Sequence, residues 1–150
     1  MISRTSKELL EQFRAQCKAR GLSITPQRTA IYEALISSQD HPRTEDIYHR
    51  VKTAFPDMSI DTVYRTLCLF AEIGFVHLVE GYGEAKRYDP DTKCHHHFRC
   101  LRCGRILDFT EPRFDALEVP ERFKHNCAVS NIKVVLEGVC DQCLQKTIES

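Results

Sequence analysis

The stretch SIDTVYRTLCLFAEIG, residues 59–74, followed by FVHLVEGYGEAKRY, residues 75–88, decides the fold, because its hydrophobic period changes midway. Ser59 is a good helix N-cap. Val63, Leu67 and Phe70 recur on one helical face, and Gly74 ends the helix. Phe75 to Val79 then reads as a strand, Gly81-Tyr82-Gly83 as a turn, and Ala85 to Tyr88 as the returning strand.

Working toward the N-terminus, three more helices precede this one. Leu9, Leu10, Phe13 and Cys17 keep helical spacing up to Gly21. Thr25-Pro26 supplies an N-cap and a proline at the first helical position, ahead of Ile31, Leu35 and Ile36. A third helix follows Thr44, with Glu45 and Asp46 at the positive end of its dipole. Its stripe is Ile47, Val51 and Phe55, and Pro56 closes it. Short helices followed by a β-hairpin are the order of a winged helix-turn-helix; a generic small helical domain has the same order, and the pattern alone leaves both open.

Working toward the C-terminus, the character turns to β after Asp89-Pro90-Asp91. His97–Arg99, Ile106–Phe109 and Ile132–Leu136 are predicted strands, with a short helix from Arg113 interrupted by Pro120 and a helical tail after Cys140. The boundary falls between Tyr88 and Lys93, giving domains 1–88 and 89–150, and the class is α+β. Internal repeats are absent.

The chain has 150 residues, 42% hydrophobic and 28% charged, enough for one domain or two small ones. No stretch approaches the roughly 18 apolar residues of a membrane span. Met1-Ile2-Ser3-Arg4 leads into Lys7, Glu8 and Glu11 rather than an apolar signal-peptide core, so the expected location is the cytoplasm and no membrane partner is expected. A net charge of zero does not advertise nucleic-acid binding. The N-terminal bases Arg4, Lys7, Arg14, Lys18, Arg20 and Arg28 either contact phosphates or form a solvated helix face.

Eight cysteines are many for this length, and in a reducing compartment they point to metal before disulfides. Cys100-Leu101-Arg102-Cys103 and Cys140-Asp141-Gln142-Cys143 each place two thiolates on one tight turn, so two turns complete a tetrahedral zinc site. Gly104 suits the first turn. Two disulfides are the competing reading. The zinc would staple a domain whose own core is too small to stand alone.

Beside the first pair stands Cys94-His95-His96-His97. On a strand, His95 and His97 share a side and His96 faces the other. Two imidazoles on one face, with Asp89 and Asp108 near in sequence, suit iron(II), manganese(II) or zinc. The plain alternative is an exposed histidine cluster without a ligand.

Asp57 to Leu67 resembles the recognition helix of the ferric uptake regulator family. His95 to Gly104 and the pair Cys140 and Cys143 resemble its C-terminal signature, and His41-Pro42 its hinge-side ligand. The resemblance covers nearly the whole chain, in the same order. It implies an N-terminal winged helix-turn-helix domain and a small C-terminal α/β dimerisation domain carrying the four-cysteine zinc site. It further implies a homodimer that binds double-stranded DNA at an inverted-repeat operator and represses transcription. A regulatory iron(II) or manganese(II) ion would take His41, Asp89, His95, His97 and Asp108. Tyr64 and Arg65, with Ser59 and Thr62, would face DNA, and Lys86, Arg87, Arg20 and Arg28 are weaker phosphate contacts.

Asp108 in the last ligand position resembles the peroxide-sensing branch, in which iron-catalysed oxidation of His41 or His95 releases DNA. An iron- or zinc-level sensor without redox chemistry is the alternative within the family. Cys94 stands where many relatives have histidine, and Asn131-Ile132 where a further metal-binding histidine often lies, which weakens the family's additional site here. Outside the family, the His/Asp cluster can be read as a zinc metallohydrolase site, although no substrate-pocket motif accompanies it and an enzyme is not expected. A zinc-stapled adaptor for protein partners is the remaining reading.

Overall fold

A computed structural model describes residues 5–38, 40–79 and 85–148. The chain divides into two compact units, residues 1–92 and 93–150. Asp89, at the end of the hairpin, therefore belongs to the first unit.

The first unit starts with α1 (Ser6–Ala19), opened by a capping box in which the Glu8 N–H donates to Thr5 Oγ1 and the Thr5 N–H to the Glu8 carboxylate. Helix α2 (Pro26–Ile36) is capped by Thr25, whose hydroxyl accepts from the Arg28 N–H. Helix α3 (Thr44–Val51) has Arg43 at its cap, and the Asp46 carboxylate accepts the Arg43 N–H at 2.8 Å. It stops four residues before Phe55, short of the expected end at Pro56. The N–H groups of Ala54 and Phe55 both turn back to the Val51 carbonyl, and a residue before proline is disfavoured in helical conformation.

Helix α4 (Ile60–Glu72) begins at Ser59, whose Oγ accepts the Thr62 N–H at 3.1 Å, and buries Val63, Leu67 and Phe70. Gly74, at φ +79°, turns the chain out of it. The strand expected from Phe75 begins two residues later. The Phe75 and Val76 N–H groups close the helix on the Phe70 carbonyl, and both side chains enter the core. That core is aromatic at its centre: Phe13 stacks on Tyr32 with centroids 4.4 Å apart and meets Phe70 and Phe75 edge-on.

Strands β1 (His77–Val79) and β2 (Arg87–Asp89) pair antiparallel, with His77 opposite Asp89. The expected Gly81–Gly83 turn lies outside the described residues. Ala85 and Lys86 precede β2 rather than forming its start. Arg87 bridges to Arg43, and the Tyr88 N–H donates to the Pro42 carbonyl, which ties the hairpin to the entrance of α3. Helices α2, α3 and α4, packed together, and this hairpin make the winged helix-turn-helix, with α1 packed against α2.

The second unit is a three-stranded sheet in the order β4-β3-β5. Strand β3 (His96–Cys100) is central, antiparallel to β4 (Ile106–Phe109) and parallel to β5 (Val135–Gly138). Strand β5 starts later than the Ile132 expected from the sequence, because the Val134 N–H is taken by His96 Nδ1 at 3.2 Å. Helices α5 (Pro112–Asp115) and α6 (Glu121–Lys124) flank Pro120, and α7 (Asp141–Ile148) ends the unit. Among its described residues the buried hydrophobic side chains are Cys100, Ile106 and Cys140. Such a core is too small to hold a sheet by itself.

Candidate functional site

Cys100 ends β3, and a turn through Cys103 closes when the Gly104 N–H returns to the Cys100 carbonyl at 2.9 Å. Gly104 sits at φ +72°, a conformation that favours glycine. Cys140 precedes α7 and accepts the Leu144 N–H, while Cys143 lies in the first helical turn. The four sulfurs lie within 4.8 Å of one another, and Cys103 and Cys140 are 3.8 Å apart. Zinc–sulfur bonds of about 2.3 Å arranged tetrahedrally put sulfurs about 3.8 Å apart. A disulfide needs about 2.05 Å. The donor geometry fits zinc.

The electrostatics agree. Backbone N–H groups of Cys103 and Cys140 lower the Cys100 thiol to about 6, whereas hydrogen bonding to Cys140 and burial push Cys143 up to about 12. Thiolates crowded this closely resist ionising together unless a cation sits among them. Arg102 reinforces the clasp by donating to the Cys143 carbonyl and to Thr147 Oγ1, and Arg105 pairs with Asp141 at 3.4 Å.

In the second unit His95, His97 and Asp108 converge. His95 immediately precedes β3, His97 lies on it, and Asp108 is the antiparallel partner of His97 on β4. Their side chains therefore share a face, while His96 takes the opposite one. His95 Nε2 lies 3.0 Å from His97 Nε2, and Asp108 Oδ1 lies 3.2 Å from His97 Nε2. His95 Nδ1 sits 2.8 Å from the Lys93 carbonyl, which can only accept. The neutral ring therefore carries its proton on Nδ1 and presents the Nε2 lone pair, the arrangement of a metal-ligating histidine.

In the first unit His41 pairs with Asp89, Nε2 to Oδ2 at 3.4 Å, and both are buried. The Asp91 N–H holds the other Asp89 oxygen at 2.9 Å. Among the described residues His41 is the non-glycine residue found at positive φ, +47°. A non-glycine residue held there costs of order 1–3 kcal/mol, and such strain clusters at functional sites.

His96 is fully buried between Phe109 and Phe114, with Nε2 3.0 Å from Asp115 Oδ1 and Nδ1 accepting the Val134 N–H. Sequence reading assigned His96 no role; in the fold it anchors the start of β5. Cys94 donates weakly to Asp115 at 3.5 Å and faces Asn131 at 4.0 Å, so this neighbourhood is a hydrogen-bonded group.

On α4 the expected DNA-facing residues Tyr64 and Arg65 are exposed beside the buried Val63. Ser59 and Thr62 are occupied in starting the helix, their hydroxyls 2.9 Å apart. Arg20 lies over the Phe75 ring at 5.2 Å, and Arg28 donates to the carbonyl and hydroxyl of Ser23. A groove of about 520 Å³ runs between α4 and the hairpin, lined by Glu45, Asp61, Tyr64 and Lys86 among others. Sequence reading missed the bond between Arg65 Nε and Asp61 Oδ2 at 2.8 Å, although acid and base four residues apart on a helix was its signal.

Comparison with known proteins follows the same lines. The pattern of the Ferric uptake regulator family matches residues 19–137. The peroxide operon regulator of Bacillus subtilis (strain 168) is 40% identical over 147 residues, covering 97% of this chain and 98% of its own. The Helicobacter pylori ferric uptake regulator, a structure with three functional metal binding sites, superposes with a TM-score of 0.74 at 26% identity, over 94% of this chain and 95% of its own. A zinc uptake regulator complexed with zinc and DNA gives a TM-score of 0.68 at 25% identity, over 97% and 99%. With the fold, the four-cysteine cluster and these matches in agreement, the chain belongs to the ferric uptake regulator family of metal-responsive transcriptional repressors.

Proposed function

We propose that the chain is a homodimeric, metal-dependent repressor that releases DNA when hydrogen peroxide oxidises a histidine ligand. The metal-sensing part rests on one observation above all: two buried imidazole nitrogens, His95 Nε2 and His97 Nε2, aimed at the same point 3.0 Å apart, with the Asp108 carboxylate beside them. Without an ion, one ring must donate to the other; a divalent cation satisfies both lone pairs and the carboxylate together.

In this reading Cys100, Cys103, Cys140 and Cys143 hold a structural zinc ion. His41 and Asp89 of the first unit join His95, His97 and Asp108 of the second around one regulatory iron(II) or manganese(II). An ion ligated by both units restricts the hinge near Thr92. Turning a 1:99 equilibrium into 99:1 requires about 10⁴-fold tighter binding to the closed form, within reach of a five-ligand site. The closed dimer presents two copies of α4 to successive major grooves of an inverted-repeat duplex. Exposed Leu117, Val129, Val135 and Leu136 on the second unit support association of two copies there.

The peroxide step draws on the 40%-identical peroxide operon regulator and on Asp108 as the last ligand. Iron(II) at the site would supply electrons for reductive cleavage of hydrogen peroxide. The chain's part is to hold the His41 and His95 rings against that chemistry and exclude bulk water; both are about 95% buried, being 5% exposed. Addition of one oxygen to either ring removes a good ligand and frees the hinge.

The test loads zinc-containing protein with iron(II) without oxygen, adds stoichiometric hydrogen peroxide and maps the peptides by mass spectrometry. One added oxygen on the His41 or His95 peptide, absent with manganese, together with loss of duplex binding, is expected. Unmodified histidines with iron retained would reject the peroxide step and leave a reversible metal-level sensor.

A further inference from the structure

Helix α4 carries three charged residues, Asp61, Arg65 and Glu72, so Arg65 is its one cation. At about 100° per residue, Asp61 and Arg65 lie directly opposite the buried Val63, Leu67 and Phe70 stripe. Their side chains are 63% and 79% exposed, and Arg65 Nε meets Asp61 Oδ2 at 2.8 Å. In its first two turns the outermost strip of the helix is thus an acid and a base that cancel, while exposed Glu72 lies on the same strip in the last turn.

An exposed pair of this kind adds little to stability. The helix start does not need Asp61 as a cap, since Ser59 already accepts the Thr62 N–H. Its charge favours the helix dipole, yet that benefit is open to any acid in the first turn. For a helix entering a DNA groove, a carboxylate on the leading face is repelled by phosphates and has to be compensated by something it reads or holds.

The bond through Nε supplies the compensation. It fixes the guanidinium and leaves the two terminal Nη groups as a planar fork, the geometry that matches O6 and N7 of guanine. The second Asp61 oxygen can accept from a cytosine amine. Pairing also stops Arg65 from folding back onto a phosphate, where it would add affinity for any sequence.

We propose that Asp61 is a specificity-determining residue: by holding Arg65 through Nε it makes the N-terminal half of the recognition face charge-neutral and commits the arginine to a base edge. The inference rests on α4 being the element that enters the major groove, as proposed above. In the variant Asp61→Ala, Arg65 is free to pair with phosphate. Affinity for unrelated duplex rises several-fold, and the salt slope steepens by about 0.9 per protomer. Preference at one base pair per half-site falls from about tenfold or more to under about threefold.

The experiment selects duplexes from a pool with about 30 randomised base pairs, enough for two half-sites, using the full-length, manganese-loaded protein. Wild type, Asp61→Ala, Asp61→Glu and Arg65→Ala are compared, with thermal melts to establish equal folding. Asp61→Ala and Arg65→Ala should lose preference at the same base pair, while Asp61→Glu, which still reaches a residue four positions on, retains it. A purely helix-stabilising role would move the melts and leave the consensus intact. If Asp61→Ala selects the wild-type consensus with an unchanged salt slope, the inference is overturned. If wild type enriches no sequence when loaded with manganese, nor when the selection is repeated with iron(II) or zinc, the repressor reading fails, and the inference with it.

Discussion

Removing the zinc should unfold the second unit while leaving the first intact. The contrast lies in what each buries. The first unit packs Phe13, Tyr32, Phe70 and Phe75 with Ile31, Leu35, Ile47, Val63 and Leu67 into one core. Among its described residues the second buries one aliphatic side chain, Ile106, worth about 1.5–3 kcal/mol. A structural zinc site contributes an apparent 10–16 kcal/mol or so near neutral pH, several times more. The variant Cys140→Ser removes a buried thiol ligand while keeping the backbone N–H that donates to Cys100 Sγ at 3.3 Å. Zinc should leave, as read by a chromogenic chelator, and amides of β3, β4 and β5 should exchange within seconds. Amides of α2 and α4 should keep their protection to within a few-fold, since the units have separate cores. Protected β3 amides in zinc-free protein would refute the reasoning, because they would require a source of stability that the burial pattern does not contain.

Other predictions follow from particular side chains. Phe13→Ala should destabilise the first unit by about 3–5 kcal/mol, measured by urea unfolding, because three aromatic neighbours lose their common partner. His96→Phe should cost about 2–4 kcal/mol in the same measurement while retaining one zinc per chain, since Asp115 and the Val134 N–H both lose a buried partner. Zinc retention should depend on pH in a definite direction. The Cys100 thiol is lowered by backbone N–H donors, so its thiolate contribution is full above the ordinary thiol value and is lost as pH falls through about 6. Zinc release by titration should therefore grow as pH falls, and release that grows as pH rises from neutrality would contradict the assignment.

The fold was most legible where local chemistry and packing agree. Ser59, Thr25-Pro26 and Gly74 mark helix ends by backbone hydrogen bonds that they themselves supply, and those ends fall where expected. The ends that moved are set by atoms distant in sequence. Phe75 and Val76 look like strand residues, but their N–H groups belong to the carbonyl of Phe70. Val134 leaves its strand to a histidine nearly forty positions earlier, a competition that no periodicity contains. The four cysteines were legible because two residues between thiolates is a geometric requirement of one metal ion. His96 was not, since a buried structural histidine and a ligand look alike until each ring nitrogen has a partner. Asp61 was overlooked for a different reason: single exposed charges carry little meaning until their pairing is seen.

The two candidate metal sites differ in a way that suits a sensor. Four thiolates on a tight turn and a helix start form a soft, highly charged cage, and the unit around it has little else to fold on. An ion there is bound as tightly as the unit is folded, so its occupancy cannot report a changing concentration. The His/Asp set is different: neutral imidazoles and carboxylates bind iron(II) or manganese(II) with moderate strength. In the proposed reading His41 adds a further restraint, because its backbone is held at φ +47°. If that strain weakens ligation, relieving it should tighten it. Gly at position 40, in place of Asp40, would leave His41 unchanged, so the informative change is Pro42→Ala, which loosens the segment that accepts the Tyr88 N–H at 3.0 Å through its carbonyl. Manganese affinity should change at this variant by several-fold, measured by competition with a fluorescent chelator, while zinc stays at one per chain. Unaltered manganese affinity would mean that the His41 conformation is imposed by its neighbours alone and has no part in setting the sensor's range.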